Sequence, residues 1–551
     1  MKRTVFLLMT ALLMTVSAQA QVVLGDKHVM LKVDQGKKYV LLPVQETEDI
    51  AAIAVLNNHN EMVQRLNVKL AVDHVDYYVP YELKSACLFD IEFHGDRRQK
   101  GAVGEFVCWK DIKYSDTFDT INRERFRPIY HHTPVYGWMN DPNGMFYKDG
   151  IWHLYFQWNP YGSQWENMHW GHSTSRDLIH WESQPTALEP DWLGSIFSGS
   201  CVTNGNEVIA MYTSAGHHQT QSIAISKDSG MTFEKYSGNP VLTGDVPDFR
   251  DPRPFWNEDI KAWNLILAAG QEMRIYSSKN LKEWKYESSF GKEYGNHGGV
   301  WECPDLFKID KKWVLICNIN PGGPFGGSAT QYFVGDFNGK KFTCESMPKV
   351  TKWLDYGKDH YATVSFYNAP DNRRVVLAWM SNWQYANQVP TKQYRSGNSI
   401  PRDLGLFTCG EETYVSVVPS KEMLAVRGAK VKKPTEACEI VVDMKSQAEI
   451  VLSNAKGEQV VMTYDGQKQT FSMDRTKSGD VSFSDAFPCV TEAPTYGQVK
   501  LLRLFIDRCS IEAFDAEGKM AMTNLVFPSE PYNIIKVKGG KATIYEVNSE
   551  K

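Results

Sequence analysis

The sequence predicts an all-β chain organised around a five-bladed β-propeller, and three observations carry that expectation. Helical periodicity is scarce beyond residue 20, whereas short alternating runs bounded by Gly, Asn and Asp recur, as in Ile151-Trp152-His153-Leu154-Tyr155-Phe156 and Val375-Val376-Leu377-Ala378-Trp379. A weak internal repeat follows: Ser175-Arg176-Asp177 leading to Trp181, Ser226-Lys227-Asp228 leading to Phe233, and Ser278-Lys279-Asn280 leading to Trp284, with starts 51 and 52 residues apart. A strand end, an acidic or amide turn residue and an aromatic opening the next strand, repeated near every 50 residues, fit one four-stranded propeller blade per unit. Residues 128 to 405 leave room for five such units, the looser echo Gly335-Asp336-Phe337 to Phe342 included.

The remaining segments frame that core. Residues 1–20 carry Lys2 and Arg3, an apolar run from Val5 to Val16 and Ala18-Gln19-Ala20, the layout of a cleavable secretory signal too short in its apolar part to span a bilayer. Residues 21–120 hold strand-like runs such as Tyr39-Val40-Leu41-Leu42 and are expected to form a small β module of unassigned role, joined by the polar stretch 111–125 to a propeller over 126–415. From 420 to 551, alternating strands separated by short turns predict a β-sandwich.

Composition narrows the partners. The formal charge of −5, or −7 without Lys2 and Arg3, comes with no basic patch, which argues against nucleic acid and favours a neutral substrate. No later stretch is long and apolar enough for a membrane helix, so the mature chain is expected to be exported and soluble, periplasmic or secreted. The 10 cysteines lack CxxC or metal-type spacing, and most read as buried free thiols. The adjacent pairs His131-His132 and His217-His218 would point to opposite faces of a strand, so no metal is expected.

The most telling segment is Trp138-Met139-Asn140-Asp141-Pro142-Asn143-Gly144. Aspartate before proline is kept out of the helical region and Asn-Gly turns the chain, so Asp141 is expected at the end of a strand, presented by a rigid bend. A fixed carboxylate between an indole and two amides suits sugar chemistry: the carboxylate attacks, the amides bond hydroxyls, and the indole packs on a ring face. The same letters also fit a plain Asx turn. A second carboxyl, Glu302 in Trp301-Glu302-Cys303-Pro304-Asp305, lies between an indole and an apolar strand, where burial and the charge of Asp141 are expected to raise its pKa. A third, Asp251 in Phe249-Arg250-Asp251-Pro252, is again fixed by a proline and stands next to a cation.

With Arg127-Pro128-Ile129-Tyr130-His131 in front, the Asp141 segment resembles the signature of glycoside hydrolase family 32, the invertase, inulinase and levanase family, over roughly 127–530. The resemblance implies a propeller followed by a sandwich and retaining hydrolysis of β-fructosidic bonds in levan- or inulin-type fructans, sucrose included. It also implies no cofactor. It makes Asp141 the nucleophile, Glu302 the acid/base, and Asp251 a transition-state stabiliser that grips sugar hydroxyls beside Arg250. It further implies substrate contacts at Trp138, Asn140, Gln157, Trp165, Phe197, Ser198 and Trp383, and exo action, because Asp141 stands where endo-acting relatives often carry glutamate. Asp507 to Phe514 resembles a strand pair of the family's sandwich and is expected to make interdomain or surface contacts. A fructosyltransferase of the same fold, an inverting arabinan-type hydrolase and a non-catalytic fructan-binding protein are the competing readings.

Overall fold

The computed structural model describes residues 21–34, 36–96, 100–121 and 124–548; the signal expected at 1–20 lies outside the described residues. The chain divides into two compact units, the first ending at Phe118 and the second starting at Asp119.

In the first unit, antiparallel strands ordered Gln21–Val23, His28–Val33, Cys87–Phe93, Ala51–Leu56 and Met62–Val68 form one sheet. Tyr77–Glu82, Tyr39–Val44 and Lys113–Ser115 form a second. Strict alternation drives this layering: His28–Val33 buries Val29, Leu31 and Val33 and turns Lys32 to solvent. Tyr81 of the second sheet meets Phe89 of the first edge to face at 5.2 Å.

The second unit opens with five sheets whose inner strands are Gly137–Lys148, Ser195–Asn204, Phe249–Asn257, Val300–Ile309 and Tyr361–Ser365. Consecutive inner strands pack together and the last packs on the first, so the five blades close into a ring. The final blade runs through Glu412–Pro419, past the boundary expected at 415. Tyr394–Arg395, from the long connection inside that blade, adds a parallel strand to Gly137 and Trp138 of the first blade and latches the ring.

The repeat noticed in the sequence has a local cause. Ser175, Ser226 and Ser278 end the third strands of their blades, and each hydroxyl donates to the side-chain oxygen two residues on: Asp177 at 3.1 Å, Asp228 at 2.7 Å and Asn280 at 3.3 Å. The next residue, Leu178, Ser229 or Leu281, takes a left-handed φ of 66°, 60° or 62°. In two of the three turns an indole locks the result, Trp181 Nε1 donating to the Leu178 carbonyl and Trp284 Nε1 to that of Leu281.

The sandwich rests on two long strands, Cys438–Ser453 and Ile534–Val547. The 438–443 half of the first pairs with 501–506 and its 447–453 half with 459–465, so the strand bends across both layers. Tyr130, Val376, Leu404, Phe505 and Phe514 share one buried cluster between propeller and sandwich. A fully buried ionic network joins the same two parts: His131 engages Asp507 at 2.8 Å and Glu512 at 2.7 Å, and Arg402 bridges Asp355 (2.7 Å) and Glu512. The charges of the Asp507 to Phe514 segment thus serve interdomain contacts. Arg475 repeats the device from another sandwich strand, pairing with Asp359 and donating to Tyr385 Oη at 2.8 Å.

Candidate active site

Each inner strand breaks its ladder at the same height. Asn140 and Asp141 together face the single residue Gln157, and Ser198 has no partner between the pairs Phe197↔Thr213 and Gly199↔Tyr212. Asp251-Pro252 face Leu267, Cys303-Pro304 face Cys317, and Ala362-Thr363 face Ala378. These are β-bulges, which re-aim side chains and are common next to active sites. Prolines fit there because they donate nothing to a ladder. Asp251, Cys303 and Ala362 occupy equivalent left-handed positions, with φ of 64°, 41° and 55°. Asp141 is therefore not at a strand end, as the Asp-Pro rule predicted, but inside the twelve-residue strand Gly137–Lys148. The bulge, not a terminal bend, aims it into the channel.

One network, hydrogen-bonded around Asp141 and Asp251 and continued to Glu302 through the peptide bonds Arg250-Asp251 and Glu302-Cys303, then joins the three predicted carboxylates. Ser198 Oγ donates to Asp141 Oδ2 at 2.6 Å, Asn140 Nδ2 to Oδ1 at 3.0 Å, and the Cys303 thiol to Oδ2 at 3.3 Å. The backbone N–H of the same Cys303 donates to Asp251 Oδ2 at 2.8 Å, and the Asp251 N–H donates to Thr213 Oγ1 at 2.9 Å. Arg250 donates to Glu302 Oε1 through Nε (3.2 Å) and Nη2 (2.9 Å), and to Asp248 Oδ1 at 2.6 Å. Tyr361 Oη donates to Glu302 Oε2.

Burial raises the pKa of Asp141, aided by the charge of Glu302 and opposed by its three donors. Asp251 is the most deeply buried of the three carboxyls, 5% exposed. Burial pushes it up to about 7 against the pull of Arg250, with Glu302 and Asp141 adding to the push. The sequence reading placed Glu302 in a purely apolar and anionic setting; the fold instead sets the Arg250 guanidinium on one of its oxygens, and it is Asp251 that the fold desolvates most.

The other expected contacts separate into two groups. Asn140, Ser198 and Arg250 are in the network. Phe197 is half-buried, and Trp165, 40% exposed, meets it edge to face at 6.0 Å, so both lie beside the bulge that carries Ser198. Trp383 is half-buried and stacks on Trp138 at 5.7 Å. Trp138 itself is fully buried, its Nε1 donating to Asn140 Oδ1 at 2.8 Å. It therefore orients an amide from behind and cannot lie on a sugar ring, as had been expected. Gln157 is likewise buried behind Asn143, donating to the Ile196 carbonyl at 3.0 Å. Sequence reasoning missed Cys303, Thr213 and Tyr361. Cys303 stood inside a quoted motif but was read only as a neighbour of Glu302, and Tyr361 and Thr213 carry no local signal.

The profile described as "Glycosyl hydrolases family 32 N-terminal domain" matches residues 131–417, and that described as "Glycosyl hydrolases family 32 C terminal" matches 415–549. A domain of unknown function, DUF4980, matches 25–130. A levanase of Bacillus subtilis (strain 168) is 44% identical over 453 residues, covering 74% of this chain and 67% of its own. An extracellular exo-inulinase of Aspergillus ficuum is 37% identical over 484 residues, 73% of this chain and 90% of its own. Among solved structures, an exo-inulinase from Aspergillus awamori superposes with a TM-score of 0.72 at 33% identity, over 78% of this chain and 99% of that one. A β-fructofuranosidase from Schwanniomyces occidentalis complexed with fructosyl-erythritol gives 0.68 at 32% identity, over 77% and 98%.

Proposed function

The chain belongs to glycosyl hydrolase family 32, and we propose that it is a retaining β-fructosidase that releases fructose from the ends of levan- or inulin-type fructans and also accepts sucrose. The observation that carries this reading is the network in which bulges of four different blades bring Asp141, Ser198, Asp251 and Glu302 to one end of the channel. The levanase and exo-inulinase among its relatives support the substrate class.

In this reading Asp141 attacks the anomeric carbon while Glu302 protonates the departing oxygen, giving a fructosyl ester on Asp141. Glu302 then takes a proton from a water, which attacks the same carbon and releases fructose with its configuration kept. Arg250 and Tyr361, one on each oxygen of Glu302, fix the plane of its carboxyl through the proton transfers. Asp251, held by the Cys303 N–H, accepts bonds from sugar hydroxyls and strengthens them as positive charge develops on the ring. Export through residues 1–20 belongs to the same proposal, and an extracellular exo-inulinase relative supports it.

The test is product analysis. Nuclear magnetic resonance on freshly released sugar should show the β anomer first, and chromatography should show fructose before any oligomer. An α anomer would refute retention, and early oligomers would refute action at chain ends.

A further inference from the structure

The site residues lie near the starts of four of the five inner strands: Asp141 is the fifth residue of its strand, Ser198 the fourth, and Asp251 and Glu302 the third of theirs. The loops that enter the inner strands, and those between second and third strands, therefore form the rim of this mouth. One entering loop, just before Ser195–Asn204, carries Trp192, which is 84% exposed. An indole left so open to water is costly.

It is also held rigidly. Asp191 and Gly194 exchange backbone hydrogen bonds of 3.2 and 3.0 Å, and the Leu193 N–H donates to Asp191 Oδ1 at 2.8 Å, leaving Trp192 at the tip of a tight turn. Lys235 ties the turn down by donating to Asp191 Oδ2 at 2.7 Å. Gly194, at a φ of +118°, and Gly216 press this turn against the next rim loop. A Cβ on Gly194 would come 2.3 Å from the Ala215 oxygen, and one on Gly216 would come 2.5 Å from the Leu193 oxygen. That next loop presents exposed His217 and His218. The strand entered by the Trp192 turn carries Phe197, the edge-to-face partner of Trp165, and then Ser198.

We propose that Trp192, flanked by His217 and His218, is a platform for the distal part of a fructan chain whose terminal unit occupies the carboxylate site. This rests on the fructosidase reading above. Trp192 and Ser198 are six positions apart, at most about 20 Å of chain, so the platform lies within a few sugar units of the bond being cut. A flat indole on a fixed turn offers a large apolar face at little entropic cost, and the imidazoles offer hydrogen bonds to hydroxyls. The chemistry suits a neutral polymer with repeated ring faces. On this proposal a disaccharide bound at Asp141 does not touch the platform.

The experiment is steady-state kinetics of the full mature enzyme and of Trp192→Ala and Trp192→Phe on long-chain levan, long-chain inulin and sucrose. It is paired with electrophoresis of the same proteins through gels containing each polymer. Trp192→Ala should raise KM for at least one polymer about fivefold or more with kcat unchanged, leave both sucrose constants as they were, and lose retardation in that polymer's gel. Trp192→Phe should recover part of the loss. An unchanged KM on both polymers, or an equal loss on sucrose, would overturn the platform. If the unaltered enzyme cleaved sucrose but neither polymer, the fructanase reading would fail on its own. Gel retardation would then still decide the platform, upheld if lost in Trp192→Ala and overturned if kept.

Discussion

Replacing Ser198 by alanine tests how the fold prepares Asp141. Burial pushes this carboxyl upward, whereas a nucleophile must be ionised, so the donors around it have to hold the charged form. Three reach it: Asn140 on Oδ1, and Ser198 and Cys303 on Oδ2. The Ser198 contact, at 2.6 Å, is the shortest, and a hydrogen bond to a charged group is worth about 1.5–3 kcal/mol. At about 1.4 kcal/mol per pKa unit, its loss should raise the pKa of Asp141 by roughly one to two units. The sign is fixed: activity requires the ionised carboxylate, is present above that pKa and is lost as pH falls through it. The acidic limb of kcat/KM in Ser198→Ala should therefore move to higher pH by roughly one to two units. The assay is a kcat/KM profile on sucrose from acid to mild alkali for both proteins, with a thermal melt to establish that the variant is folded. An acidic limb that stays in place while activity falls evenly at every pH would mean that Ser198 acts on the substrate and not on Asp141.

Three further outcomes follow from the same geometry. Glu302→Gln should lose several orders of magnitude on fructan yet recover part of it on a fructoside with a good leaving group, whose departure needs no acid; equal losses on both would remove Glu302 as the acid. Asp251→Ala should lower kcat strongly and KM little, since a carboxylate that grips hydroxyls as the ring flattens acts in the transition state; an unchanged kcat with a lowered melting temperature would leave it a structural residue. Burial alone would push His131 down, but Asp507 and Glu512 overcome it and hold the ring at about 9, above its unfolded value, so the stabilisation is complete below about pH 6.5 and lost as pH rises towards 9. The melting temperature should fall across that window by an amount corresponding to about 3 kcal/mol at most, and His131→Gln should flatten the fall.

The propeller was legible because three of its five blades announce themselves within about ten residues: a serine, an acid or amide two positions on, a left-handed residue and an aromatic. Each part has a local physical reason, so it survives in the sequence. Ring closure does not. Tyr394–Arg395 pairs with Gly137 and Trp138 across the whole propeller, and no local pattern in either segment encodes the partner. The sandwich was legible as alternating strands, but the bend that lets 438–453 serve two layers was not, because alternation reports a face and not the sheet to which the face belongs. Trp138 fails for a related reason: an indole next to a functional carboxylate reads the same whether it lies against the ligand or behind the residue that does.

The site's lateral contacts between the third and fourth blades fall at one fixed offset in the sequence. Residues one period apart occupy the same height in adjacent blades. Arg250 meets Glu302, the Cys303 N–H meets Asp251, and Arg253 meets Asp305, each pair separated by 52 positions, the interval between the second and third copies of the turn. The Arg250 contact that sets the environment of Glu302 follows this offset between the inner strands of the third and fourth blades, but the turn copies of those blades, at Ser278 and Gly335, stand 57 apart, so the repeat alone does not give it. The prolines after Asp141, Asp251 and Cys303 add the other coordinate. A proline inside an apolar strand marks a place where the ladder cannot continue, and a bulge there turns the preceding side chain out of alternation. Period fixes which blades face each other and proline fixes the height at which their side chains turn inward. Three X-Pro steps, with 52 positions between the last two, therefore specify a ring of side chains at one level of a closed channel, and carboxylates so placed can only crowd one another. Burial, with that crowding added and against the pull of Arg250, is what lifts Asp251 to about 7.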